Sequence, residues 1–296
     1  MEVDPMSGIS MNPLRRAAGL FPHYTNTLLS AAVVVLFFLT SGLYVNGQQS
    51  TGPEPTPEPT PQAPPAAAQN EEDPTRPIVF SIRNEYRDLK NGAWANTVIF
   101  RADRLSFRNF QNRGGAKGLL LRLDVPLNTV HVGTTTKIGL GDTYAQILYI
   151  PKATKRFATA IGTGIVLPTA TDDLLGRGKL ILAPSIIPVW YFKNRKRLTF
   201  IRIQNYFSIA GKSSRPDVNY FLVDPNVIVP VTRKWWVGAN TELTWDWKTS
   251  RMAGISGFQV GRIVRGKFGF WIKPEIPFGP ARTGGYNLKL TVFRVR

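Results

Sequence analysis

Past residue 77 the chain is a succession of twelve short segments in which apolar and polar residues alternate, with no long stretch of helical period. They are Ile78–Tyr86, Ala95–Phe107, Gly118–Leu127, Asp142–Pro151, Phe157–Leu167, Leu180–Phe192, Leu198–Ala210, Val218–Pro230, Trp235–Trp247, Gly254–Val264, Phe268–Pro277 and Gly284–Arg294. A period of two sends successive side chains to opposite faces of a strand, so each segment reads as a β-strand with two unlike faces. The class is all-β. An even number of strands, each with about 9–11 tilted residues to cross a bilayer, is what an antiparallel up-and-down transmembrane β-barrel of about 12 strands requires.

Alternation also fits a soluble barrel, and the faces must be weighed. In Leu119–Val125 four apolar residues share one face, while Arg122 and Asp124 share the other. The pattern recurs at Ile201–Gln204, Phe270–Ile276 and Leu288–Val292. A soluble barrel turns its apolar face inward; a membrane barrel turns it to lipid and keeps a polar lumen. Parity alone does not say which face is inside. In the membrane form the inner face carries Arg83, Glu85, Arg101, Asp103, Arg122, Asp124, Arg202, Glu242, Lys273, Glu275 and Lys289, six bases and five acids. Charges persist in such a place only when paired, so a constricted, salt-bridged lumen is expected rather than a wide aqueous pore.

The residues before the barrel favour the membrane form. Arg15 and Arg16 precede the apolar run Leu28–Leu39, which Ser41, Gly42 and Val45-Asn46-Gly47 follow. Residues 1–47 therefore read as a signal peptide or an N-terminal membrane segment. Residues 48–77 read as a disordered Pro-rich linker: Thr51–Pro77 holds nine prolines and almost no large apolar side chain, too little to offset its ordering entropy. Residues 78–296 are the barrel. Trp94, Trp190, Trp235, Trp236, Trp245 and Trp247 lie at segment ends, as interfacial girdles would place them, and only Trp271 lies mid-segment.

Charge follows the connections. The net charge is +18, which on its own suggests nucleic acid. The turns Gln111–Lys117, Lys152–Arg156, Lys193–Arg197, Thr232–Lys234 and Arg265–Lys267 hold 13 Lys+Arg and no acid. The alternate connections, Arg87–Trp94, Asn128–Gly141, Thr169–Lys179, Gly211–Asp217, Lys248–Arg251 and Gly279–Gly285, are longer on average and hold ten bases with four acids. Short turns face the periplasm in such barrels and long loops face outward. The surplus is thus a basic rim of Arg113, Lys117, Lys152, Lys155, Arg156, Lys193, Arg195, Lys196, Arg197, Arg233, Lys234, Arg265 and Lys267. Such a ring suits anionic headgroups or anionic solutes, and no nucleic-acid partner is expected.

Gly139-Leu140-Gly141-Asp142-Thr143, Phe157, Gly162-Thr163-Gly164, Leu167-Pro168-Thr169-Ala170-Thr171-Asp172 and Leu175-Gly176-Arg177-Gly178-Lys179 carry a resemblance. This stretch resembles the outer-membrane barrels of the phenol-degradation meta-pathway transporter-type family, over roughly Gly139–Lys179. The resemblance implies a bacterial outer-membrane barrel that takes up small hydrophobic or aromatic solutes. The chain departs from such barrels in ending Val292-Phe293-Arg294-Val295-Arg296 rather than on an aromatic, which leaves Phe293 to stand in. Read without the family, Gly162 and Gly164 bare one strand face for close backbone approach, a bend or a neighbouring ring. Asp172 and Asp173 read as a solvated turn in preference to a cation site.

Chemistry has few carriers here. The chain has no cysteine and two histidines, His23 and His131, which excludes thiolate metal sites, disulfides and thiol catalysis. His131, in Val130-His131-Val132-Gly133, has no serine nearby in sequence, and a packed strand-edge role outweighs a nucleophile–base pair. No cofactor or metal is expected. The preferred reading is passive passage or binding of small solutes, with outer-membrane lipids and an unnamed solute as partners. The alternatives are an anchor whose Pro-rich arm reaches a periplasmic partner and, less favoured, a lipid-modifying enzyme.

Overall fold

The computed structural model describes residues 78–108, 116–154, 156–192, 197–232, 234–264 and 268–295. The expected signal and linker segments lie outside the described residues. The elements are thirteen strands: β1 (Ile78–Lys90), β2 (Ala93–Arg108), β3 (Ala116–Val132), β4 (Thr135–Leu140), β5 (Thr143–Ala153), β6 (Phe157–Leu167), β7 (Lys179–Phe192), β8 (Arg197–Gly211), β9 (Asn219–Pro230), β10 (Trp235–Asp246), β11 (Arg251–Val264), β12 (Phe268–Phe278) and β13 (Asn287–Val295). Twelve of them form a ring in which each strand pairs antiparallel with its neighbours, and β1 pairs with β13 to close it. Closure leaves the ring without a free edge.

The thirteenth strand corrects one expectation. Asn128–Gly141 was expected to be an outer loop; instead β3 continues to Val132, turns at Gly133 (φ 60°) and returns as β4, exposed along nearly all its length. β4 and β5 both pair with β3, Leu140 opposite Leu127 and Tyr144 opposite Asp124, so three residues (141–143) span two (125–126). They are in effect one long strand broken by a bulge, where Gly141 N donates to Pro126 O at 2.9 Å. Arg87–Trp94 is likewise not a loop. β1 and β2 meet at Asn91-Gly92, both at positive φ, the hairpin turn whose twist matches the flanking strands.

The faces divide as in a membrane barrel. Phe80, Ile82, Phe100, Leu119, Leu121, Leu123, Ile147, Ile161, Ile186, Ile272, Leu288, Leu290 and Val292 are exposed on the outside, whereas Arg83, Arg101, Arg122, Arg202, Lys273 and Lys289 are buried inside. An apolar outer wall of this extent is stable against lipid and not against water. Aromatic rings mark both ends of the wall. Tyr86, Trp94 and Tyr286 cluster at the long-loop rim, while Phe157–Trp190 and Trp235–Phe270 sit at the short-turn rim.

Three aromatics depart from the girdle. Trp236 faces inward with Trp271 and Phe293, in a cluster that also takes in Ile263. A Cβ at Gly261 would strike the Trp236 ring, and one at Gly269 the Phe293 ring, so each ring lies flat on a bare stretch of wall. Phe293 therefore points into the lumen. On β6, Gly164 seats the Tyr144 ring in the same way, while Gly162 admits the backbone of β5 at Ile147 and Leu148.

Candidate functional site

The eleven charges expected on the inner face all point inward, and all but the partly buried Glu242 are buried. Their pairing follows the register across strands. Arg101 lies opposite Asp124, and Asp103 opposite Arg122. Each arginine binds its carboxylate through two nitrogens: Arg101 Nε and Nη2 at 2.7 Å from Asp124, Arg122 Nε and Nη2 at 2.7 and 2.6 Å from Asp103. Two parallel charge-assisted bonds fix both planes and offset the cost of removing the ions from water. Arg83–Glu85 at 3.2 Å and Lys273–Glu275 at 2.9 Å pair along their own strands.

The network continues around the wall. Arg202 Nη2 reaches Asp224 at 3.2 Å and Glu242 at 2.8 Å. Asn240 Nδ2 donates to Asp224 Oδ1 at 2.8 Å, and Lys273 Nζ donates to Asn240 Oδ1 at 2.9 Å. Lys289 closes on Glu275 at 2.9 Å. Sequence reasoning missed Asp224, although Leu222, Asp224 and Asn226 share the inner parity of β9 and its flanking Val223 and Pro225 repeat the pattern used elsewhere.

The charged belt covers only part of the circumference. Toward the short-turn end, the inner face of β3 and β5–β8 is Leu120, Leu148, Ile150, Ala158, Ala160, Ile187, Val189, Tyr191, Leu198 and Phe200, a continuous apolar cluster. The lumen thus has one charged arc, β8–β10 and β12–β3, and one apolar arc facing it. Above the apolar arc sit three tyrosines. Tyr206 stacks on Tyr220 at 4.7 Å and 15°, and donates to Gln204 Oε1 at 2.9 Å; Gln204 Nε2 lies 3.3 Å from the Tyr144 hydroxyl.

The connection between β6 and β7, residues 168–178, folds into the long-loop mouth. Leu175 is buried against Ala95 and Val130, which are inner-face residues of β2 and β3. Asn128 Nδ2 donates to the Leu175 carbonyl at 2.6 Å. Arg215 Nη2 donates to the carbonyls of Asp173 and, at 2.7 Å, Gly176. Asp142 receives Arg177 N at 2.5 Å and Ala170 N at 3.3 Å, and the Arg177 guanidinium lies 5.5 Å over Tyr220. The Gly139–Asp142 and Leu167–Lys179 motifs are therefore one structural unit, a loop and its latch. The lone Leu175 gave no periodic signal that could have announced it.

Asp172 and Asp173 hold the loop from outside, through Lys137 at 3.1 Å and Lys212 at 2.5 Å. Among the described residues no group of three potential ligands gathers there or elsewhere. The Leu174 backbone N–H and Lys137 hold the Asp172 carboxyl below its usual range, and Lys212 does the same for Asp173. Stabilisation from depressed carboxyls is present above the ordinary range and lost as pH falls through the lowered values. Burial raises the Asp142 carboxyl, which contributes with the opposite sign and favours the closed loop on acidification. With Asp172 and Asp173 releasing the loop against Asp142, which holds it, channel conductance is expected to rise below about pH 4, as read in planar bilayers.

Of the basic-rim residues, Lys117, Lys152, Arg156 and Lys234 are exposed at the short-turn ends and Arg197 is half-buried; Lys117 and Lys152 belong to strands rather than turns. Arg113, Lys155, Lys193, Arg195, Lys196, Arg233, Arg265 and Lys267 lie outside the described residues. His131 stacks on Trp94 at 5.7 Å, on the outside of the barrel, and Nδ1 lies 2.8 Å from Thr136 Oγ1. It forms part of the outer aromatic cluster.

No protein-family model matches the chain. No curated protein matches it. Among solved structures, the chain is similar to the COG4313 outer membrane channel from Pseudomonas putida F1, with a TM-score of 0.60 and 13% identity over 77% of this chain and 100% of that one. It is also similar to the NanC porin (TM-score 0.49, 11% identity, 73% and 98% covered) and the KdgM porin (0.48, 9%, 73% and 98%). With its apolar outer wall, aromatic ends and polar interior, the fold is that of a bacterial outer-membrane β-barrel.

Proposed function

We propose that the chain is an outer-membrane channel through which small solutes pass passively, with loop 168–178 as the constriction at the outer mouth. The observation that carries this reading is the two-sided lumen beneath that loop: a charged arc facing an apolar arc. A solute with one polar end and an apolar body finds partners on both sides, whereas a uniformly charged or uniformly apolar solute does not. That is also the solute class, small and aromatic or hydrophobic, that the Gly139–Lys179 resemblance implies. Liposome swelling with phenol, benzoate and arabinose tests it. Faster entry of the two aromatics than of the sugar is the expected result; the absence of flux for all three, with no conductance in planar bilayers, overturns it.

The short-turn rim, periplasmic in this reading, contacts anionic headgroups of the inner leaflet. Replacing Lys117, Lys152, Arg156 and Lys234 with glutamine is expected to weaken the preference for phosphatidylglycerol over phosphatidylcholine vesicles, on the order of fivefold for each base removed. An unchanged preference removes this role.

A further inference from the structure

Arg87 is the buried cation that the belt does not neutralise. It lies on the inner face of β1, 7% exposed, with Nη2 3.4 Å from Thr97 Oγ1 and no partner for Nε. Glu85 and Glu275 act on it electrostatically, but their salt bridges go to Arg83, Lys273 and Lys289. The loop brings a further cation to the same place. Arg177, whose backbone is fixed by Asp142, has its guanidinium over Tyr220 of β9 and its Nε buried without a partner. The same loop reaches the Arg87 side of the mouth, because Leu175 packs on Ala95, the residue opposite Arg87 in the β1–β2 register; the loop thus runs from β1–β2 to Tyr220 on β9. Neither arginine has a carboxylate within ion-pair distance among the described residues.

A buried guanidinium and a half-buried one, each with an Nε that has no partner, share this mouth without a carboxylate at ion-pair distance, an arrangement that an anion would relieve. We infer that Arg87 and Arg177 form a binding site at the outer mouth for a small aromatic carboxylate. The planar carboxylate matches the donor fork of each guanidinium, which a neutral amide of the same shape does not. The half-buried Tyr220, stacked on Tyr206 and beside Arg177, offers apolar surface to the ring. The site rests on the channel reading for its role in transport, but not for its existence.

The full-length barrel, folded in detergent, is titrated calorimetrically with benzoate and with benzamide at low salt, and the same two solutes are compared in liposome swelling. Benzoate is expected to bind at least about tenfold more tightly than benzamide. Arg177→Gln and Arg87→Gln each cut benzoate affinity about tenfold and leave benzamide unchanged, while Arg251→Gln, an exposed base on the same rim, alters neither. Equal binding of the two probes, or unchanged benzoate affinity in folded Arg177→Gln, overturns the site. Where Arg87→Gln does not fold by heat-modifiable mobility, Arg177→Gln, carried on the loop, decides alone. Flux absent for both probes fells the channel reading, and calorimetry still decides the site.

Discussion

Asp124→Ala is expected to lower the unfolding free energy of the barrel by about 3–5 kcal/mol, the largest effect of any single side chain in the belt. The loss does not measure the worth of the bridge. Arg101 is held by two bonds to Asp124, and both side chains are almost wholly out of solvent. Removing the carboxylate leaves the guanidinium where water reaches it poorly. The paired replacement Arg101→Met with Asp124→Leu removes both charges and is expected to recover most of the loss, since a buried ion pair roughly breaks even against apolar side chains of similar volume. Denaturant unfolding in detergent, followed by heat-modifiable mobility, reads both. A loss below about 1 kcal/mol for Asp124→Ala shows instead that water solvates Arg101 freely.

The second large effect concerns passage. Replacing residues 171–177 by a short Gly-Ser turn is expected to raise single-channel conductance several-fold and leave the unfolding transition in place. The loop puts Leu175 into the mouth, yet its ties run mostly through its own backbone groups, to Asn128, Asp142 and Arg215, rather than to the belt. Below it the paired charges bind one another along the wall. Asn128→Ala, which removes the amide under Leu175, is the milder version and should give a noisier channel of intermediate conductance. Unchanged conductance in the loop replacement shows that the constriction lies deeper.

The strands of the ring and the inward parity of the charges were legible because one face meets lipid and the other does not, which imposes strict alternation. Where that constraint ends, so does the signal. β4 projects past the membrane with water on both faces, and Thr134-Thr135-Thr136-Lys137 carries no alternation to read. Arg87 was assigned to a loop because its strand ends in a two-residue turn, and that hid the cation at the mouth. Trp236 sits at a strand end as a girdle residue would, but parity sends it inward against Gly261. Partner choice was illegible for a further reason. Arg101 and Asp103 stand two apart on one strand, yet each binds across to β3, because register comes from the hairpin and not from the spacing.

The bridges also differ in when they can form. Arg101–Asp124, Arg122–Asp103 and Arg202–Asp224 each join two strands of one hairpin, 19 to 23 residues apart in sequence. Such contacts require only local closure. Glu85 and Lys289, by contrast, come opposite each other only when β1 meets β13, at the far end of the chain. The inward charges of β2–β3 and β8–β9 therefore find partners within their own hairpins, before the ring needs to close, whereas Glu85 and Lys289 meet only across the β1–β13 seam.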